Sequence, residues 1–153
     1  MFALIVLVVV YGLLMLIDLI GLCPAALRSQ PAKVRLSLAT MFLLGTSTRL
    51  FSAEMLMQMI PSRLPWRREA VYVSGLCEAL GAGGLLVPQT RRPAGLGLAL
   101  LLALIYPANV NVAVQHLQIK GYPSSRLYQW ARLPIQPLLI WLVLWASLAD
   151  EAR

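Results

Sequence analysis

Residues 72–92, YVSGLCEALGAGGLLVPQTRR, decide the fold, because they form an apolar run of helical length with a single carboxylate inside it. The carboxylate is Glu78, and the run ends abruptly at Pro88, Arg91 and Arg92. An acid in such a run is costly in a membrane unless another group pairs with it or the helix faces a polar cavity. The groups around Glu78 are therefore the main clue to function.

The composition of the whole chain predicts an integral membrane protein. Of its 153 residues, 59% are hydrophobic and only 12% are charged, whereas about a quarter of a soluble domain is charged. The net charge of +7 arises from short basic clusters between apolar runs, as expected for Lys and Arg that flank membrane spans. We therefore predict an all-α membrane protein whose partner is the lipid bilayer, and no nucleic-acid partner.

Five apolar runs are candidates for membrane spans. Besides residues 72–92 they are residues 2–22, 36–59, 94–118 and 133–148. About 20 apolar residues are needed to cross about 30 Å of hydrocarbon. The fifth run is only about 24 Å long as a helix, so it spans only if the connector before it adds a turn.

The first run is interrupted only by Asp18 and lacks the basic start of a secretory signal peptide. We interpret it as a retained span. Asp18 lies near its end, where it can face one of the nearby basic side chains, Arg28, Lys33 or Arg35.

Small residues on the third span predict close contact with its neighbours. The expected packing positions are Gly75, Gly81, Gly83 and Gly84. In a membrane the hydrophobic effect does not drive helices together, because lipid tails are as apolar as the side chains. Small side chains instead let the helix backbones approach closely and pack.

The orientation follows from the basic residues between the spans. Five spans place six basic residues on each side, but no Lys or Arg precedes the first span and three follow it. The sequence therefore predicts an inner (plasma) membrane protein with its N-terminus outside and its C-terminus in the cytoplasm.

Depth counting places three polar side chains of different spans at one level. Arg49, Glu78 and Asn109 each lie nine or ten residues from the outer end of their span, or roughly 14 Å at 1.5 Å per residue. We predict an ion pair between Arg49 and Glu78, with Asn109 hydrogen-bonded to one of them. Two interpretations stay open: a pair that fixes helix register, or a polar pocket that binds a ligand or passes protons.

The sequence predicts no metal, no cofactor and no catalytic residue. The two cysteines, Cys23 and Cys77, lie on different runs and form no metal-binding spacing with the single histidine. No nucleophile–base arrangement is recognisable.

Several ordered motifs between about residue 45 and residue 145 resemble the DoxX-like family of small membrane proteins. They are a P-x-x-L-P connector at residues 61–65, an S-G-x-x-E helix that ends in L-x-P-x-T-R-R, a P-A-N segment and an R-L-P-x-Q helix. The residues that carry them include Ser74, Gly75, Glu78, Thr90, Pro107, Asn109, Arg132, Pro134 and Gln136.

The resemblance implies a DoxX-like four-helix membrane domain over residues 36–148, with residues 1–22 as an additional N-terminal transmembrane helix. One position departs from the family, because Arg49 stands where its first helix typically has histidine. An arginine stays charged and cannot exchange protons as a histidine can. This departure favours a fixed ion pair over proton coupling.

Three functions stay open, and the resemblance suggests the first of them. The preferred one is a non-catalytic accessory or scaffold subunit of a quinone-linked membrane oxidoreductase complex, with a membrane redox protein as partner. The alternative is a small membrane enzyme or a quinone- or lipid-binding protein that uses Arg49, Glu78 and Asn109. A small transporter is the third.

Overall fold

A computed structural model describes residues 2–60, 65–115 and 125–149, and within these ranges every regular element is a helix. The all-helical prediction is therefore confirmed for this part of the chain. The α-helices are α1 (Phe2–Leu19), α2 (Gln30–Phe51), α3 (Ala53–Met57), α4 (Arg67–Leu86), α5 (Arg91–Gln115) and α6 (Arg126–Leu148). Turns of 3-10 helix at Ala25–Leu27 and Pro88–Thr90 precede α2 and α5.

Four long helices close a ring. Helix α2 packs on α4, α4 on α5, α5 on α6, and α6 returns to α2. Consequently α2 and α5 lie diagonally across the ring. Along the seam between α5 and α6, Gly95 meets Ser147 and Leu102 meets Gln136, so these helices are antiparallel. Helix α1 lies against α2 outside the ring.

The turn between α1 and α2 is built by local backbone chemistry. Gly21 adopts a φ of 79°, its N–H bonds the carbonyl of Asp18, and the next N–H bonds that of Ile17. This is the Schellman pattern, which needs a residue in the left-handed region and therefore favours glycine. Ser29 then caps α2 by accepting a hydrogen bond from the N–H of Ala32.

The second predicted span differs from the structure. We expected one run over residues 36–59, but α2 begins earlier, at Gln30, and ends at Phe51. Ser47 and Thr48 in its last turns donate to the carbonyls four residues before them. Such bonds compete with the helix backbone and often bend it. Ser52 interrupts the helix, and α3 follows as a separate short helix.

The last predicted span is longer than the apolar run that indicated it. Helix α6 begins at Arg126, because Ser125 caps its first turn by accepting from the N–H of Tyr128. The connector thus adds seven residues ahead of residue 133, or about 10 Å. Pro134 and Pro137 lie inside α6, as Pro107 lies inside α5.

The outer surface of the ring is strongly apolar. Many large hydrophobic side chains are exposed; they include Val73, Leu76 and Leu80 on α4, Leu96, Leu100 and Leu104 on α5, and Leu138, Trp141 and Trp145 on α6. Several buried side chains are polar, among them Lys33, Ser37, Glu78, Gln129 and Gln136. In the described residues, two helices, Pro88–Gln115 and Arg126–Leu148, are long and apolar enough to cross a membrane.

Candidate functional site

An ion pair joins α2 to α4 inside the ring. Nη1 of Arg49 bonds Oε2 of Glu78, and the two side chains are 18% and 5% exposed. Two glycines leave room for this pair. A Cβ at Gly45 would lie 3.4 Å from Oε2 of Glu78, and one at Gly75 would lie 3.3 Å from Cδ of Arg49.

A hydroxyl group ties the same two helices together beside the ion pair. Oγ1 of Thr46 donates to the carbonyl oxygen of Gly75 over 3.2 Å. A backbone carbonyl can accept this bond in addition to its helical one because it has two lone pairs. Neither Gly45 nor Thr46 was a predicted site residue, although both lie within one helical turn of Arg49.

A second polar seam runs between α5 and α6. Nη2 of Arg132 donates to Oδ1 of Asn109 over 3.2 Å, and Nδ2 of Asn109 donates to Oε1 of Gln136 over 2.5 Å. Nε2 of Gln136 then donates to the carbonyl of Leu102 over 2.6 Å. The chain of donors ends at this carbonyl, which lies five residues before Pro107 in α5.

The predicted place of Asn109 beside the ion pair is wrong, because its hydrogen bonds go to Arg132 and Gln136. Gly81 faces Leu98 across the seam between α4 and α5. Glu78, three residues before Gly81, is therefore level with about Leu101. Asn109 lies eight residues further along α5, or about 12 Å. Counting residues from the helix ends predicted that Asn109 and Glu78 lie at the same depth. It could not predict how the helices are shifted along each other or in which direction each side chain points.

The glycines predicted to pack against neighbouring helices divide into two groups. A Cβ at Gly81 would come within 2.5 Å of the Leu98 side chain, and one at Gly84 within 2.7 Å of Cβ of Ala94. Gly75 is in contact with Arg49, as described above. Gly83 instead faces open space, so its predicted packing role is wrong.

The remaining motif residues shape the helices. Oγ of Ser74 donates within its own helix to the carbonyl of Val71. Oγ1 of Thr90 donates to the carbonyl of Gly84 over 3.0 Å and so satisfies the end of α4. Pro107 and Pro134 are exposed positions inside α5 and α6.

A further ion pair holds α1. Of the three basic residues considered near Asp18, Lys33 is its partner, with Nζ 2.6 Å from Oδ2. The Lys33 side chain is fully buried, and its Nζ also lies 3.5 Å from Sδ of Met15. Tyr11 adds a 2.6 Å hydrogen bond to Gln30 of α2.

Two buried charges, Glu78 and Lys33, are thus held in ion pairs that join helices, and Nε of the buried Arg35 donates to the carbonyl of Ala146 on α6. Across residues 2–60, 65–115 and 125–149, no group of three or more His, Cys, Asp or Glu side chains lies close enough to hold a metal ion. Cys23 is buried at the turn after α1, while Cys77 is exposed on α4.

A comparison with family models matches residues 38–149 of the chain to one described as a domain of unknown function (DUF8561). No curated protein and no solved structure matches the chain. The matched residues begin inside α2, at residue 38, and contain the rest of the ring with both polar seams. Because the match covers well over half of the sequence, the chain belongs to the DUF8561 family.

Proposed function

We propose that this chain is a multi-pass membrane protein with five spans, formed by α1 and by the ring of α2, α4, α5 and α6. The exposed Leu, Val and Trp side chains around the ring support this arrangement, because a soluble monomer rarely exposes such large apolar patches. The paired charges inside support it as well, since ionisable groups in spans pair with one another. In this proposal the protein lies in the inner membrane, with its N-terminus outside.

As its function we propose a non-catalytic accessory or scaffold subunit of a quinone-linked membrane oxidoreductase complex. The scaffold role rests on the ion pair of Arg49 with Glu78. Glu78 is the most buried acid of the described residues, and its carboxylate is engaged in a contact that joins two helices. The DoxX-like resemblance of the motifs supplies the expectation of a redox partner. Helix α1 lies outside that resemblance and adds a further apolar surface.

Affinity purification from the native membrane in a mild detergent tests this function. We expect an oxidoreductase subunit to co-purify in a fixed ratio. A protein recovered only as a homo-oligomer, with no redox protein attached, would contradict the accessory role.

A quinone- or lipid-binding role is the second candidate, and the exposure of Arg49 favours it. This side chain keeps 18% of its surface accessible although it is paired with Glu78. A guanidinium group can donate several hydrogen bonds, so a carbonyl oxygen could share it. This role predicts that a quinone analogue binds saturably. Glu78→Gln should abolish the binding in protein that still folds. Binding that survives this change would exclude the ion pair as the binding site.

A further inference from the structure

The chain crosses one end of the ring between α2 and α5. After the break at Ser52, α3 lies against α4, and Met59 then packs on Val112 of α5. Met59 is 6% exposed and Val112 is 1% exposed. Val112 lies 14 residues after Leu98, which packs in the core of the ring, so both lie on nearly the same inward face of α5. Residues 53–59 therefore run from the end of α2 to the inward face of α5 at this end of the ring.

Polar side chains lie directly beneath this crossing. Asn109 precedes Val112 by three residues on α5, and Arg49 precedes Ser52 by three residues on α2. Positions three apart lie on the same face of a helix. Both side chains are only partly buried, whereas Gln136, which bonds Asn109, is buried further inside.

The crossing itself is apolar and joined to α2 through one non-helical residue. Met55 and Leu56 pack around the contact of Met59 with Val112. Ser52 has φ −131° and ψ 33°, and its N–H bonds the carbonyl of Thr48, so a single residue redirects the chain. Methionine side chains are flexible and repack readily. Two of the three side chains that residues 53–59 supply to this contact are methionines, so this side of it repacks more readily than one of branched side chains.

We propose that residues 53–59 form a lid that closes this end of the ring, and that its displacement gives small polar or amphipathic molecules access to Arg49 and Asn109. Met59 on Val112 is the contact that holds the lid shut. This proposal does not depend on a redox partner. It concerns how the polar side chains at this end of the ring are reached.

Thiol labelling of the full chain in detergent tests the lid. Asn109→Cys places a thiol beneath it, and the label is iodoacetamide, which is small and uncharged. Peptide mass spectrometry measures the labelling at residue 109 separately from Cys23 and Cys77. We expect slow labelling with the lid intact and labelling at least tenfold faster when Met59→Ala is added.

The matched control is Met57→Ala, which removes a methionine of the same segment that is not part of the Met59 contact. It should leave the rate unchanged. Gln89→Cys, exposed at the other end of α4, gives the rate of an open thiol. The proposal is overturned if residue 109 reacts as fast as residue 89 with the lid intact, or if Met59→Ala and Met57→Ala have equal effects. If Asn109→Cys does not fold, Ser74→Cys takes its place with the same expected outcomes.

Discussion

At the scale of single residues, two buried charges, Glu78 and Lys33, are each neutralised by a partner on another helix. Glu78 is nearly inaccessible, and Arg49 reaches it across the seam between α2 and α4. Removing one partner of a buried pair leaves the other charge without compensation, which costs about 3–5 kcal/mol in soluble proteins. Two glycines, Gly45 and Gly75, keep the space in which this pair fits.

Exchanging the charges tests the pair directly. Arg49→Glu and Glu78→Arg should each lower the apparent melting temperature in detergent strongly, because each places two like charges in contact. The double exchange restores opposite charges, so we expect it to recover much of the loss. A double variant no more stable than the two single ones would show that the two side chains do not depend on each other.

Two glycines of α4 form a matched pair for the packing prediction. Gly81→Ala drives a Cβ into Leu98, and overpacking of this kind typically costs about 1–3 kcal/mol. Gly83→Ala meets nothing within 4 Å and should be neutral or slightly stabilising, since alanine favours a helix by up to about 1 kcal/mol over glycine. The measurement is the apparent melting temperature of both variants; equal effects would contradict the predicted difference.

At the scale of elements, polar contacts determine which helices belong together. Helix α1 exposes much of its apolar surface but is held to α2 by the contact of Asp18 with Lys33 and that of Tyr11 with Gln30. Because Lys33 is fully buried, its charge depends on a carboxylate from α1. The added helix is therefore part of the folded unit rather than an independent anchor.

Apolar replacement tests how α1 is held. Asp18→Leu alone should destabilise the protein, because it leaves the buried Lys33 ammonium without its partner. Asp18→Leu combined with Lys33→Leu removes both charges and should recover most of the stability, since replacing a whole buried pair by apolar groups is often neutral. Proteolysis of α1 in detergent reports the outcome: we expect rapid cleavage only in the single variant. Equal cleavage of the single and double variants would contradict the role of the pair.

At the scale of the whole molecule, the ring has an apolar core that holds a few bonded polar groups, and its circumference is apolar as well. A soluble bundle covers its outside with polar side chains, so the exposed apolar circumference is the feature that supports the proposed membrane location. The antiparallel order of the ring helices places the starts of α2 and α5 with the ends of α4 and α6 at one end, and the lid at the other. Under the proposed topology, the lid faces outward.

Reporter fusions test that topology. Five spans place the termini on opposite sides of the membrane. We expect a fluorescent protein fused after Arg153 to fluoresce in the cytoplasm and a phosphatase at the same site to be inactive. Active phosphatase there would reverse the orientation, and termini found on the same side would exclude five spans.

Much of the fold was predictable because it depends on local chemistry. Apolar runs and basic connectors indicated helices, and proline, serine and glycine in the connectors mark where α1, α4 and α6 begin or end. The pairing of Arg49 with Glu78 could be predicted by counting residues from the ends of the spans, because this count placed both residues at the same depth in the membrane. The break at Ser52 was missed, since hydroxyl groups in an apolar run do not by themselves end a helix.

The sequence by itself determined that this chain forms apolar helices with a few charges that need partners, because side-chain polarity and backbone propensity act within one helix. Only the tertiary structure decided which partners they find. Asn109 is hydrogen-bonded to Gln136 and Arg132 rather than to Glu78. Asp18 pairs with Lys33. Gly81 packs against a neighbouring helix, whereas Gly83 faces open space. Those choices depend on the register and rotation of one helix against another, which follow from packing and not from the position of a residue along its own helix.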